Sequence, residues 1–190
     1  MKFYHLNAPG PLYTNTFLII SEAGHGVIID ACADAEKYLA LLQENNASLV
    51  AILQTHGHFD HVGAIEPLKK ATGARVYMNA ADQKQFGIQV DEDLTDGQVV
   101  TVDELTFTVI TTPGHTPGSV CIRMGGELFT GDTLFAGDIG RTDLAGGSYA
   151  EIQRSLHKLL SRVEGDPRVL PGHEEFSTFL TEKEHNRYLK

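Results

Sequence analysis

Thr55-His56-Gly57-His58-Phe59-Asp60-His61 is the stretch that decides how this chain of 190 residues is read. Three imidazoles and one carboxylate fall within six residues, His56 to His61. These are the side chains that hold zinc, iron and manganese. The apolar run Leu49-Val50-Ala51-Ile52-Leu53 comes just before and reads as a buried strand. The cluster therefore sits at a strand's exit, where layered α/β proteins carry their active-site loops.

Three more candidate ligands follow in Gly-rich settings. They are His115 in Thr112-Pro113-Gly114-His115-Thr116-Pro117-Gly118, Asp132 in Thr130-Gly131-Asp132-Thr133, and His173 in Leu170-Pro171-Gly172-His173. Each glycine is a turn residue that lets its neighbour point inward. His56 and His58, two apart in an extended loop, can chelate one ion together. Asp60 and His61 belong to the next turn and can face a second ion. Asp132 has two oxygens and can bridge both. The expected sets are His56, His58, His115 and Asp132 for one metal, and Asp60, His61, Asp132 and His173 for the other. Two divalent ions roughly 3.5–4 Å apart can share a bridging hydroxide as nucleophile, and one can polarise a scissile carbonyl. Asp60 is placed to orient that hydroxide and to pass a proton to the leaving group. Mixed imidazole and carboxylate sites accept zinc, iron or manganese; zinc is the expected metal.

The formal net charge of −10, from 25 acidic and 15 basic residues, argues against a nucleic-acid surface or a basic membrane patch. It leaves an anionic small substrate open, because bound metal ions reverse the local field. Hydrophobic content of 42% supports a substantial core, and the length suits one domain over residues 1–190. Cys32 and Cys121 form no CxxC pattern and read as free buried thiols in a reducing compartment. No early apolar run is long enough for a signal or spanning helix, so a cytoplasmic protein with no membrane partner is expected. Oligomeric state leaves no mark in the sequence.

Periodicity places strands at 2–6, 16–21, 26–30, 48–54, 74–78, 98–102, 105–111, 119–123, 127–130 and 168–170. Helices are expected from an Asp34 cap to about Asn45, from about His61 to Thr72 with Gly73 as stop, and from Ala80 to Phe86. Ser148-Tyr149-Ala150-Glu151 is a capping-box pattern. It opens a helix whose apolar face is Tyr149, Ile152, Leu156, Leu159, Leu160 and Val163. Thr181 could cap a terminal helix. The two halves mirror each other, strands first and then a helix. This predicts an α/β (α+β) fold with two sheets face to face and helices outside, a four-layer αββα sandwich. Its site would lie on one edge, where loops of both halves meet.

Isolated histidines, His5, His25, His157 and His185, read as satisfied surface or core side chains. Asp30 ends a buried-looking strand; it either supports a ligand imidazole from behind or caps a helix. Arg141 and Asp143, in Gly140-Arg141-Thr142-Asp143, either pair with each other or leave Arg141 to grip a substrate carboxylate. Cys121 alternates inward and reads as core packing.

Across these motifs the chain resembles metallo-β-lactamase-fold hydrolases, over nearly its whole length. Within that superfamily it is most similar to short glyoxalase II-like proteins. The supporting segments are Thr112–Gly118, Gly131-Asp132-Thr133-Leu134-Phe135, Gly140-Arg141-Thr142-Asp143-Leu144 and Pro171-Gly172-His173. The resemblance implies that all seven ligand positions are filled and that Arg141 contacts a peptide-like part of the substrate. It implies hydrolysis of a hydroxyacylglutathione-type thioester, with a small acyl molecule as partner. Some features depart from the family. About 17 residues follow His173, without the helical domain that completes the glutathione site in glyoxalase II. Asp30-Ala31-Cys32 stands where relatives often carry Asp-Pro-Gly, and Asp143 falls where a substrate-contacting Tyr is expected.

A persulfide dioxygenase is the competing reading. That family shares the Gly-Arg-Thr-Asp segment and uses one iron, here expected on His56, His115 and Asp132. A lactone, ester or β-lactam hydrolase of the same fold is the third.

Overall fold

The computed structural model describes residues 1–190, and its elements are here numbered along the chain. The first half holds β1 (Lys2–Asn7), β2 (Asn15–Ile20), β3 (His25–Ile29), α1 (Ala35–Glu44), β4 (Ser48–Leu53), α2 (Phe59–Val62), α3 (Ile65–Thr72), β5 (Arg75–Met78), α4 (Ala80–Phe86) and β6 (Glu92–Asp93). The second half holds β7 (Val99–Val102), β8 (Leu105–Thr111), β9 (Val120–Met124), β10 (Glu127–Gly131), α5 (Tyr149–Arg162), β11 (Arg168–Pro171), β12 (Ser177–Thr178) and α6 (Phe179–His185). Two six-stranded sheets result, ordered β1-β2-β3-β4-β5-β6 and β12-β11-β10-β9-β8-β7.

Side-chain alternation stacks these sheets. Phe17, Ile19, Val27, Ile29 and Leu53 turn inward and meet Phe107, Val109, Val120, Ile122 and Phe129 of the opposite sheet. Their neighbours Leu18, Ile20, Ile28 and Ile52 turn outward onto Tyr38 and Leu42 of α1 and Ile65 and Leu68 of α3. On the far side, Ile110, Cys121, Leu128 and Val169 pack under Leu156 and Leu159 of α5 and Phe179 of α6. Both faces of each sheet are covered, which is why the central strands read as unbroken apolar runs. The expected αββα sandwich is the observed architecture, and both cysteines are free and buried.

Differences from the sequence reading lie at element ends. The helix expected from His61 to Thr72 is two helices, because the Ala64 N–H turns aside to donate to the Ala31 carbonyl at 2.8 Å. Asp34 caps nothing with its side chain and pairs with Lys37 instead. Half of the capping box forms: Ser148 Oγ accepts from the Glu151 N–H at 3.3 Å, while the Ser148 N–H donates to the Gly114 carbonyl. Tyr149, placed on the apolar face, is exposed. Thr178, not Thr181, caps α6. The two-residue strands β6 and β12 are additional to the sequence reading, since both are too short and polar to show a period.

The second layer rests on α5. Leu156 is fully buried there, so Leu156→Ala is expected to cost about 2–5 kcal/mol of stability. Urea unfolding of the two proteins measures this.

Candidate metal centre

β3, β4 and β5 run parallel, so the loops leaving them emerge at one edge. In the other sheet, β8, β10 and β11 point the same way, since β9 is antiparallel to both β8 and β10, and β10 is parallel to β11. Asp30, the run 54–61, His115, Asp132 and His173 all lie just beyond these strand ends. Backbone bonds tie the two edges together: the Asn15 N–H donates to the Gly172 carbonyl at 2.6 Å and the Val120 N–H to the Thr55 carbonyl at 2.8 Å.

The seven expected ligands converge there. Donor atoms of His56, His58 and His115 lie within 4.8 Å of one another, and so do those of Asp60, His61 and His173. Asp132 stands between the sets. Its Oδ1 is 3.4 Å from His61 Nε2, and its Oδ2 is 3.5 Å from both His115 Nε2 and His173 Nε2. Asp60 Oδ2 is 3.2 Å from His173 Nε2 and accepts from Thr14 Oγ1 at 3.2 Å. The structure thus brings all seven residues to one place, with Asp132 within 3.5 Å of histidines from both sets.

Contacts on the outer ring nitrogens fix how each imidazole faces. His115 Nδ1–H donates to the Arg141 carbonyl at 2.8 Å, His173 Nδ1–H to the Leu12 carbonyl at 3.2 Å, and His61 Nδ1 faces Asp30 Oδ2 at 2.9 Å. His56 Nδ1 lies 3.1 Å from Thr55 Oγ1, which itself donates to Asp30. In these four rings Nε2 is left for the centre. His58 is reversed, with Nδ1 facing His115 Nε2 at 2.8 Å. Such outer contacts orient metal-binding histidines and raise their basicity. Asp30 thus stands behind His61; its helix-cap alternative is not what forms.

Two buried atoms test whether a cation belongs here. His56 Nε2 and Asp132 Oδ1 have no hydrogen-bond partner. A buried polar atom left unpaired costs about 1–3 kcal/mol, and a divalent ion would satisfy both. The donor set, imidazole with carboxylate, suits a borderline divalent metal.

Charge is distributed accordingly. Burial first, then the neighbouring imidazoles, hold His56 well below its usual pKa, so its lone pair is free. Burial likewise lowers His58. For His61, burial opposes charging, but the Asp132 and Asp30 carboxylates prevail and push it up to about 10. Burial also opposes ionisation of Asp60, yet the hydrogen bond with His173 and the field of His61 keep it well below the usual carboxylate range.

Close packing explains two of the glycines. A Cβ on Gly172 would run into the Asp132 carboxylate and the His61 ring. Gly114, at φ +144°, lies against the backbone of Ile152 at the start of α5.

Above the centre opens a cavity of about 530 Å³. Leu12, Phe59, Phe135, Ile139 and Leu144 make its apolar rim. Arg141 also lines it, with Nε 2.7 Å from Asp143 Oδ1 and Nη2 2.8 Å from Oδ2. The expected pairing of Arg141 and Asp143 therefore forms at the mouth, in solvent.

A sequence model of the Metallo-beta-lactamase superfamily matches residues 9–173. The chain belongs to this superfamily. Among superfamily relatives, it is 32% identical to hydroxyacylglutathione hydrolase GloC of Haemophilus influenzae, covering 92% of each chain. The crystal structure of ETHE1 from Myxococcus xanthus superposes with a TM-score of 0.88 at 31% identity, over 98% of this chain and 84% of that one. TTHA1623, solved in a di-iron-bound form, gives a TM-score of 0.82 at 34% identity, over 98% of this chain and all of the other. Superfamily membership makes the protein a metallo-hydrolase by descent, with candidate His and Asp groups for divalent metal.

The isolated histidines stay apart from the centre. His5 meets Asn15, His25 meets Asp103, His157 bonds the Gln153 carbonyl, and His185 is exposed. Sequence reading missed three contributors: Thr14, Thr55 and Asp82. Asp82 is fully buried in the first turn of α4, where an acidic residue is ordinary and gives no signal. No helix is long and apolar enough to cross a membrane.

His61 must give up a proton before Nε2 can bind a metal. Zinc affinity of the purified chain is therefore expected to rise with pH up to about 10. Competition against a chromophoric chelator over a pH series measures the trend.

Proposed function

We propose that the protein is a dinuclear metallohydrolase cleaving thioesters of the hydroxyacylglutathione type. The observation that carries this is the pair of donor sets, His56/His58/His115 and Asp60/His61/His173, flanking Asp132 beside one cavity that His58, Asp60, His115, Asp132 and His173 line. GloC supports the substrate class, since it is matched over 92% of its own length. TTHA1623 supports the two-ion count through its di-iron form. On this reading residues 1–190 act as one domain, zinc fills both sets with iron or manganese as alternatives, and the partner is a small acyl substrate. No nucleic acid or membrane takes part, and the setting is cytoplasmic.

A bound pair of divalent ions supplies an acidified water and an electrophile for the carbonyl oxygen. The chain's own residues do the rest. Asp60 is ionised and lines the cavity, so its carboxylate can accept a hydrogen bond from the attacking water and orient it toward the carbonyl carbon. Thr14 and His173 fix that carboxylate from two sides. Leu12, Phe59, Phe135 and Ile139 shed water from around the acyl group. Arg141 can exchange Asp143 for a substrate carboxylate, because an ion pair this exposed is screened by water and weak.

Metal-loaded protein is expected to hydrolyse lactoylglutathione, followed by release of free thiol. His58→Ala is expected to abolish turnover while circular dichroism shows an unchanged fold; a folded and fully active His58→Ala protein overturns the reading. Asp60→Asn is expected to lower kcat by about 10²–10⁴-fold, measured in the same assay.

The likeness to ETHE1 supports a second reading, a one-iron persulfide dioxygenase using His56, His115 and Asp132. Oxygen uptake with glutathione persulfide, without lactoylglutathione turnover, would select it. Turnover of a lactone or simple ester in place of both would select the third.

A further inference from the structure

Asp82 has no role in the chemistry above, yet it is a fully buried acid with three hydrogen-bond donors aimed at it. Its Oδ2 accepts from the Gly57 N–H at 2.8 Å and from Thr116 Oγ1 at 2.8 Å. Its Oδ1 accepts from the Gly118 N–H at 2.6 Å. Gly57 lies between His56 and His58, and Thr116 follows His115. A single carboxylate on α4 therefore grips the chain beside each member of one donor set. The contact is close: a Cβ on Gly118 would lie 2.6 Å from the Asp82 backbone nitrogen and Oδ1. Ser119 Oγ, 2.7 Å from Thr116 Oγ1, and the Thr116 N–H, 3.1 Å from Ser119 Oγ, complete the knot.

The other donor set has no such link to Asp82. His61 is held by Asp30, and His173 by the Leu12 carbonyl. Asp82 thus contacts only the His56/His58/His115 loops, whereas Asp30 reaches both sets, His61 directly and His56 through Thr55. We propose that Asp82 is a positioning residue for the His56/His58/His115 set alone. It clamps the His56–His58 loop to the His115 turn and so sets the affinity and preorganisation of that half of the centre. The inference rests on the reading that both sets bind metal. A carboxylate suits the task because it presents acceptors only, and all three groups facing it are donors. An amide at this position would turn an NH₂ toward at least one donor.

The test reads metal binding and not turnover, using zinc alone with chelator competition. In a His173→Ala background the set beside Asp82 is left intact. Adding Asp82→Asn there is expected to weaken zinc binding by about 10–100-fold, the range for groups that orient metal ligands. In a His115→Ala background the other set is left intact, and Asp82→Asn is expected to change zinc affinity less than about threefold, within the spread expected of independent sites. Equal weakening in both backgrounds would mean a general structural role and overturns the proposal. No weakening in either also overturns it. If the unaltered chain binds no zinc, the metal reading itself fails, a separate result. Should Asp82→Asn not fold, Thr116→Val and Thr116→Ser decide in the same two backgrounds. Val is expected to weaken the His56/His58/His115 set severalfold while Ser retains it, and equal binding by the two overturns the proposal.

Discussion

The Asp30 carboxylate is the contact on which the rest of this centre depends. Its Oδ1 accepts from the Thr55 N–H at 2.7 Å, and its Oδ2 accepts from Thr55 Oγ1 at 2.7 Å and faces His61 Nδ1 at 2.9 Å. One side chain at the end of β3 thus fixes where the loop after β4 begins and where its third imidazole points. Asp30 adopts φ +54°, a left-handed conformation costing about 1–3 kcal/mol for a residue other than glycine. The chain holds that strain at the point where three parallel strands end and the donors gather.

The sandwich makes such convergence possible. Apolar residues on both faces of both sheets supply the stability, leaving the strand ends free to carry polar loops. The first sheet contributes the imidazole-rich run and the second contributes His115, Asp132 and His173. Neither of these two donor sets lies in one sheet, because His115 completes one and His173 the other. Preorganisation therefore comes from the packing between the sheets and from the few bonds that cross it at the edge.

Above the centre, polar and apolar functions separate. The floor holds carboxylates and imidazoles, while the rim is Leu12, Phe59, Phe135, Ile139 and Leu144. Phe59 is 78% exposed although it sits between two ligand positions, His58 and Asp60. Its place is dictated by the first turn of α2, which turns Asp60 and His61 toward the centre and leaves the Phe59 ring outside. That ring is available to an incoming apolar group.

The sequence alone determined the layered architecture and the seven converging donors. Strand periodicity records which faces are buried, and the HxHxDH spacing with glycine-flanked His115, Asp132 and His173 records the loops at strand ends. Local chemistry was enough for both. What it left undecided were groups whose role arises only when distant segments meet. Asp30 allowed two readings until His61 was seen against it. Asp82, an ordinary first-turn acid in the sequence, became a clamp only when α4 was packed under two ligand loops. The split between α2 and α3 was set by an Ala31 carbonyl more than thirty residues away, which captured the Ala64 N–H. Hydrogen bonds of this kind form between residues far apart in the chain, so no local pattern announces them and only the tertiary structure decides them.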